Sequence, residues 1–345
     1  MVSSLAKELK MQKDYLLKNE LDSIYFGGGT PSLLTQEHLE IIFNGINKTF
    51  NYNSTTEITI EANPDDINIP KLKLWKKLGI NRISLGVQSF NDEELLFLKR
   101  THNSQKSIQA IEEIKSVGFD NFTIDLIFGL PQIVNDGIKL SLNKSLAFEV
   151  PHISCYALTV EKKTLLHHLI SKEKMKPLDD KKLVDEFLYI EKVLEEKKYN
   201  HYEISNYSKI GFESKHNKSY WEQKEYLGIG PSSHSYNYNS RKWNCSNNQE
   251  YISNLEKGIL PSTQEILSIK EKINELVLLG LRTKTGINWD KHIHHFPQTY
   301  IDEMKIKFSK SEHLINGKMK KVDNSYSLTS RGKLFCDTIV LDLML

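Results

Sequence analysis

Over roughly the first 200 residues, short β-branched or aromatic runs alternate with longer stretches in which apolar residues recur every three or four positions. Continuous or alternating apolar runs of four to eight residues suit strands, and the longer 3.6-period stretches suit helices. The pattern predicts strands at about 22–27, 57–61, 82–87, 122–127, 152–158 and 201–204. It predicts helices at about 3–19, 36–49, 70–78, 92–117 (broken), 136–148 and 179–198. Pro70 suits a first helical turn, and Asn91 with Glu94 forms a capping pair ahead of Leu95 and Leu96. Regular strand–helix alternation argues for a parallel α/β domain over residues 1–204.

The pattern then changes twice. Residues 205–260 are rich in Asn, Ser, Tyr, Trp and Gly with little periodicity, which reads as a long irregular connection. From 261 to 345, EKINELVLLGLRT is helical and YSLTSRGKLFCDTIVLDLML gives a strand and a final helix, a small α+β, winged-helix-like C-terminal domain.

Composition narrows the function classes. A hydrophobic content of 39% and a charged content of 26% are ordinary for a globular protein. With 46 basic against 44 acidic residues, the net charge of +2 is too small for a protein that binds nucleic acid mainly through phosphates. The N-terminus lacks an apolar signal region and the longest apolar runs fall short of a membrane span, so a cytoplasmic location is expected. Cys155, Cys245 and Cys336 lie far apart, which excludes a disulfide framework and every tight metal-binding spacing.

In a parallel barrel the site forms at the carboxyl ends of the strands. Strand SIYF runs into Gly27-Gly28-Gly29-Thr30-Pro31, which suits a tight turn, a phosphate-binding loop or a close backbone approach to another ligand. The second strand ends at Glu61 and the third at Gln88. Asp125 sits within an otherwise apolar strand, where a carboxylate needs a partner or a ligand, and Arg100 is a candidate for that partner. Taken singly, each is also what a satisfied barrel residue or surface loop would look like.

The strings IYFGGGTPS, ITIEANPD, NRISLGVQSFNDEELLFLKRTHN, IDLIFGLPQ, ISCYALTVE, YEISNYS and HNKSYWEQKEYLGIGPSSHSY resemble, in order and along essentially the whole chain, the radical S-adenosylmethionine proteins of the HemW and oxygen-independent coproporphyrinogen oxidase group. The resemblance implies a partial (β/α)6 barrel that holds S-adenosylmethionine beside a [4Fe–4S] cluster. It implies that Gly28, Gly29 and Thr30 meet the methionine amino group. It places Glu61, Gln88, Arg100, Asp125 and, as a weaker match, Thr159 around the same ligand. His216-Asn217-Lys218-Ser219-Tyr220-Trp221 resembles a haem-binding segment, with His216 as the iron ligand and Tyr220 and Trp221 against the porphyrin. A locally hydrogen-bonded loop His is the alternative, and His234 is a less specific second candidate.

The family opens with a strand and a CxxxCxxC cluster loop, and neither is found here. The expectation is therefore a barrel lacking its first strand and cluster ligands, with Met1 inside the first helix of a misplaced start or a shortened gene. Radical catalysis by this chain alone is not expected, since side chains supply no comparable reductant. The family implies a haem chaperone that passes haem to an acceptor, such as a respiratory membrane haemoprotein. Oxidative decarboxylation of coproporphyrinogen III, or a cluster-free porphyrin-binding remnant, are the competing readings.

Overall fold

A computed structural model describes residues 1–131, 136–162, 164–172 and 179–345. Gln132, the last residue of the IDLIFGLPQ string, lies outside them. Seven strands form one sheet: β1 (Ser23–Phe26), β2 (Glu57–Ala62), β3 (Arg82–Gln88), β4 (Phe122–Phe128), β5 (His152–Ala157), β6 (Asn200–Glu203) and β7 (Asn206–Ser208), in the order β1-β2-β3-β4-β5-β7-β6. The pairs β2–β3, β3–β4 and β4–β5 are parallel, as strand–helix alternation requires. The sixth expected strand is present but does not pair with the fifth. The three-residue β7 lies between them, antiparallel to both. At three residues it is too short for a periodic signal.

The chain forms two compact units. One comprises Met1–Tyr25, Leu34–Ile58 and Ser214–Leu345; the other comprises Phe26–Leu33 and Thr59–Glu213.

In the second unit, strand alternation sorts side chains onto two faces. Ile83, Leu85, Val87, Ile124, Leu126 and Ile153 on one face are fully buried. Each such aliphatic side chain stabilises the fold by roughly 1.5–3 kcal/mol. Helices Gly137–Ala147 and Asp180–Glu196 pack on β4. The opposite face is polar: Arg82, Ser84 and Gln88 on β3, Thr123 and Asp125 on β4, His152 and Ser154 on β5. A parallel strand with helices on one side and a polar lumen on the other therefore reads as apolar only at every second residue.

In the first unit, helix Val2–Met11 packs on helix Gln36–Thr49. The latter buries Leu39, Ile42, Phe43 and Ile46, an i, i+3, i+4, i+7 stripe. Gly45 admits the close approach, since a Cβ there would sit 3.3 Å from Leu9. The first helix stops at Met11, not near residue 19 as its periodicity predicts. Downstream amides find tertiary acceptors: Leu17 and Lys18 N–H donate to the Glu225 carboxylate, at 3.0 Å for the former.

The segment 205–260 is not an irregular connection. Besides β7 it holds helices Lys215–Trp221 and Asn248–Glu256 and strands β8 (His234–Tyr236) and β9 (Ser240–Asn244), which pair in the order β10-β9-β8 with β10 (Ser262–Ile266). The C-terminal stretch contains helices Ile269–Leu281, Gln298–Ser309 and Cys336–Leu343. Its antiparallel sheet, β11 (Ile287–Asn288), β12 (Met319–Val322) and β13 (Ser325–Leu328), has the order β11-β13-β12. Among the described residues, no helix is long and apolar enough to cross a membrane.

Candidate functional site

Within the second unit, the polar strand ends converge on a cavity of about 200 Å³ lined by Gly29, Thr30, Pro31, Ser32, Glu61, Ala62, Asn63, Ser84, Gly86, Gln88 and Asp125. That volume is below the roughly 300–1,000 Å³ of a whole small-molecule pocket, so it suits the polar part of a larger ligand. Gly28 and Gly29 both have positive φ, 77° and 68°, a left-handed pair that side chains resist. Their turn brings the Gly28 N–H to the Glu61 carboxylate at 3.1 Å, so loop and β2 are tied together at the cavity wall.

Gln88 also adopts positive φ, 67°, where the β3–β4 register shifts between Leu85 and Gln88. A non-glycine residue held there is costly and is often part of a working site. Gly86 makes room for it: a Cβ at Gly86 would lie 2.9 Å from the Gln88 amide nitrogen.

Asp125 borders the cavity from the middle of β4. Burial raises its pKa from 3.8 to about 6, offset in part by the Ser154 and Ser84 side chains and by the charge of Arg82, while Glu61 adds to the rise. The Ser84 hydroxyl donates to Asp125 at 3.2 Å. The hydrogen-bond partner of Asp125 is thus Ser84, and Ser154 stands beside it across the β4–β5 register. Arg100, the cation expected beside it, feels Asp125 electrostatically while burial lowers its own pKa, and it is not among the residues lining the cavity. Thr159 is exposed two residues beyond β5 and is not among them either.

Ser84, Arg82, Thr123, His152 and Ser154 do not stand at the carboxyl ends of their strands, which is why a search of those ends passes over them. A period-2 signal does pick them: RISLGVQ, FTID and HIS each alternate polar with apolar, marking a second, polar face.

The HNxxYW segment lies in the first unit, on helix Lys215–Trp221. Glu57, nearly fully buried, takes the helix start: it accepts the Ser214 hydroxyl at 3.1 Å and the Lys215 and His216 N–H groups at 3.0 Å each. The His216 ring stacks on Tyr25 at 4.4 Å and meets the edge of Tyr220 at 4.9 Å. Its Nδ1 lies 3.2 Å from the Ser23 hydroxyl. Trp221 lies under the Arg282 guanidinium, 5.9 Å from its ring centre, and its indole N–H has no hydrogen-bond partner among the described residues. His216 and Tyr220 are therefore brought together. His234 is exposed on β8.

The donor set around the cavity, two carboxylates, two amides, hydroxyls and a backbone turn, fits a cationic, hydroxyl-bearing ligand such as S-adenosylmethionine. Among the described residues no comparable fit exists for an iron–sulfur cluster. Cys155 is buried on β5 and burial pushes its thiol far up; Cys336 is buried in the last helix, and Cys245 is a half-buried free thiol just past β9. Among the described residues, no three His, Cys, Asp or Glu side chains are placed to hold a metal ion.

Residues 3–143 match the model of the Radical SAM superfamily. The chain is 37% identical over 279 residues to the heme chaperone HemW of Lactococcus lactis, covering 80% of this chain and 73% of that one. It is 35% identical over 271 residues to heme chaperone HemW of Bacillus subtilis, covering 78% and 72%. The fold is that of the coproporphyrinogen III oxidase HemN of Escherichia coli, a radical SAM enzyme, with a TM-score of 0.82 at 18% identity over 99% of this chain and 82% of the other.

Proposed function

The chain belongs to the HemW family of radical S-adenosylmethionine proteins, and on that premise we propose that its second unit binds S-adenosylmethionine and its first unit binds haem for transfer to an acceptor protein. The observation that carries the first half is the convergence of Glu61, Gln88, Asp125 and the Gly29-Thr30 turn on one cavity. Asp125 and Glu61 offer negative charge, Gln88 an amide, and Thr30 a hydroxyl. When bound, S-adenosylmethionine supplies a cationic sulfonium. The Asp125 carboxylate, poorly solvated where it stands, gains from a cationic neighbour what water does not give it. Gly28, Gly29 and Thr30 meet the amino-acid end on this reading, with Arg100 and Thr159 at its margin. The residues at hand supply no cluster ligands, so no redox step is assigned to them.

Haem is the cargo. His216 is the iron ligand on this reading, its ring set by the Ser23 hydroxyl and the Tyr25 face, with Tyr220 and Trp221 as apolar cover. The acceptor would be a haemoprotein, and a respiratory membrane haemoprotein fits the role.

The test is spectroscopic and calorimetric. Added haem is expected to give a Soret band that His216→Ala weakens. S-adenosylmethionine binding at neutral pH is expected to fall about tenfold or more in Asp125→Asn, the loss of one charge-assisted contact. An unchanged Soret band in His216→Ala would remove His216 as ligand. Equal affinity in Asp125→Asn would remove the cavity as the S-adenosylmethionine site.

A further inference from the structure

Strand β3 does not simply stop at the cavity. The Ser89 N–H turns back to donate to the Val87 carbonyl at 2.9 Å, with Gln88 between them at a φ of 67°. A hydrogen bond from residue i+2 to residue i closes a γ-turn, and positive φ at the central residue marks its rare, strained hand. Gln88 is thus the apex of such a turn and at the same time part of the cavity wall. A non-glycine residue persists in that conformation only where its surroundings over-determine it.

Both ends of the turn are held by buried side chains. At the carbonyl end, His102 Nε2 lies 3.1 Å from the Val87 oxygen. A carbonyl only accepts, so Nε2 carries the proton, and the oxygen serves both Ser89 and His102. At the amide end, the Ser89 hydroxyl donates to the Glu94 carboxylate at 2.5 Å and accepts the Asn91 N–H at 3.0 Å. With its one proton on Glu94, Ser89 accepts from the Ser141 hydroxyl 3.4 Å away, and Ser141 accepts the Phe90 N–H at 3.0 Å. Gly137, the first residue of helix Gly137–Ala147, leaves room for the carboxylate: a Cβ there would lie 1.9 Å from Glu94 Oε1. Ser89, Glu94, His102 and Ser141 are at most 5% exposed, and they are not among the residues lining the cavity. Their route to a ligand in it runs through Gln88.

We propose that His102 and the Ser89–Glu94 pair are positioning residues for Gln88, a clamp on the two ends of the strained turn that holds its amide at the cavity. The proposal rests on the cavity being the S-adenosylmethionine site for its functional meaning. The strain at residue 88 is measurable without any ligand.

The first measurement is thermal melting of the full chain without ligand. Glycine takes a positive φ without penalty and alanine does not. Gln88→Gly is therefore expected to melt about 2 °C or more above Gln88→Ala. In the His102→Leu background the turn is free to relax, and that gap should shrink. The second measurement is S-adenosylmethionine affinity by isothermal titration. His102→Leu is expected to lose about fivefold or more when Gln88 is present and to cause no further loss in Gln88→Ala, the mark of a residue that acts through another. His102→Gln, which carries an N–H at the ε position, should recover most of the affinity. If His102→Leu does not fold, Ser89→Ala opens the amide end and should give both patterns. Gly and Ala variants that melt together, a gap unchanged by opening the clamp, or an affinity loss of equal size with and without Gln88 would overturn the proposal. A gap that behaves as expected in a protein that binds no S-adenosylmethionine would overturn the function proposed for the cavity and leave the clamp standing.

Discussion

Glu57 accepts the backbone N–H of His216 at 3.0 Å, from a carboxylate that also takes Ser214 and Lys215. A nearly fully buried acidic side chain 159 residues upstream thus serves as acceptor for the start of the helix that bears the histidine proposed as haem ligand. Helix N-termini favour such acceptors because their first N–H groups have no intrahelical partner.

Removing that acceptor leaves three donors to be satisfied elsewhere. Glu57→Ala is expected to destabilise the protein by about 2–4 kcal/mol, read from the urea denaturation midpoint. The same variant should weaken haem binding although Glu57 is not itself proposed to touch haem. A Soret titration matching that of the unmodified protein would show that the helix start does not govern His216.

The pH dependence of Asp125 has a definite sign. Its folded pKa, about 6, lies above the unfolded value of 3.8, so ionisation is disfavoured in the folded state. The cost is absent below about pH 4, grows between pH 4 and 6, and is fully present above that, amounting to roughly 3 kcal/mol. Asp125→Asn should therefore raise the melting temperature at pH 8 and leave it nearly unchanged at pH 4, while weakening ligand binding. A gain independent of pH would contradict the assignment.

Gly86→Ala tests the room left for Gln88. The added methyl would sit 2.9 Å from the Gln88 amide nitrogen, and the amide is the group that must move. Expected is a clear loss of S-adenosylmethionine affinity with a stability change of only about 1 kcal/mol, because the obstacle is a side-chain end rather than backbone. Isothermal titration together with thermal melting separates the two effects.

Glu8 is a purely architectural counterpart. Fully buried in helix Val2–Met11, it accepts the Gly230 N–H at 2.9 Å, the Asn244 amide at 2.7 Å and the Tyr251 hydroxyl. Glu8→Ala is expected to cost about 3–5 kcal/mol, since each stranded donor is buried. Chemical denaturation followed by far-UV circular dichroism would check it; a loss under about 1 kcal/mol would mean the network is replaced by water.

Most of the first 200 residues declared themselves locally. The strands ending at Phe26, Ala62, Gln88, Phe128 and Ala157 follow from β-branched runs, and the break in 92–117 appears as helices Asp92–Phe97 and Ser104–Ser116. The short elements between Asn206 and Glu256 did not, because three to nine residues hold too little periodicity to register. Arg100 was plausible as the partner of Asp125 on charge alone, yet the Ser84 hydroxyl on the flanking strand β3 fills that place. Adjacent strands bring Ser84 and Ser154 to the carboxylate, whereas sequence records only that an arginine is nearby.

What the sequence determined by itself is the periodic content: which stretches are strands, which are helices, and that Glu61, Gln88 and Asp125 punctuate strands at places where a parallel sheet builds sites. These follow from local sterics and from the two repeats, 2.0 and 3.6, that fix where side chains point. Register and long-range partnership were decided only in three dimensions. Thr123 beside His152, Asp125 beside Ser154, and Glu57 under His216 join residues 29 to 159 positions apart. Such pairings depend on how strands align and on which buried acceptor each donor can reach, and a buried donor must find one.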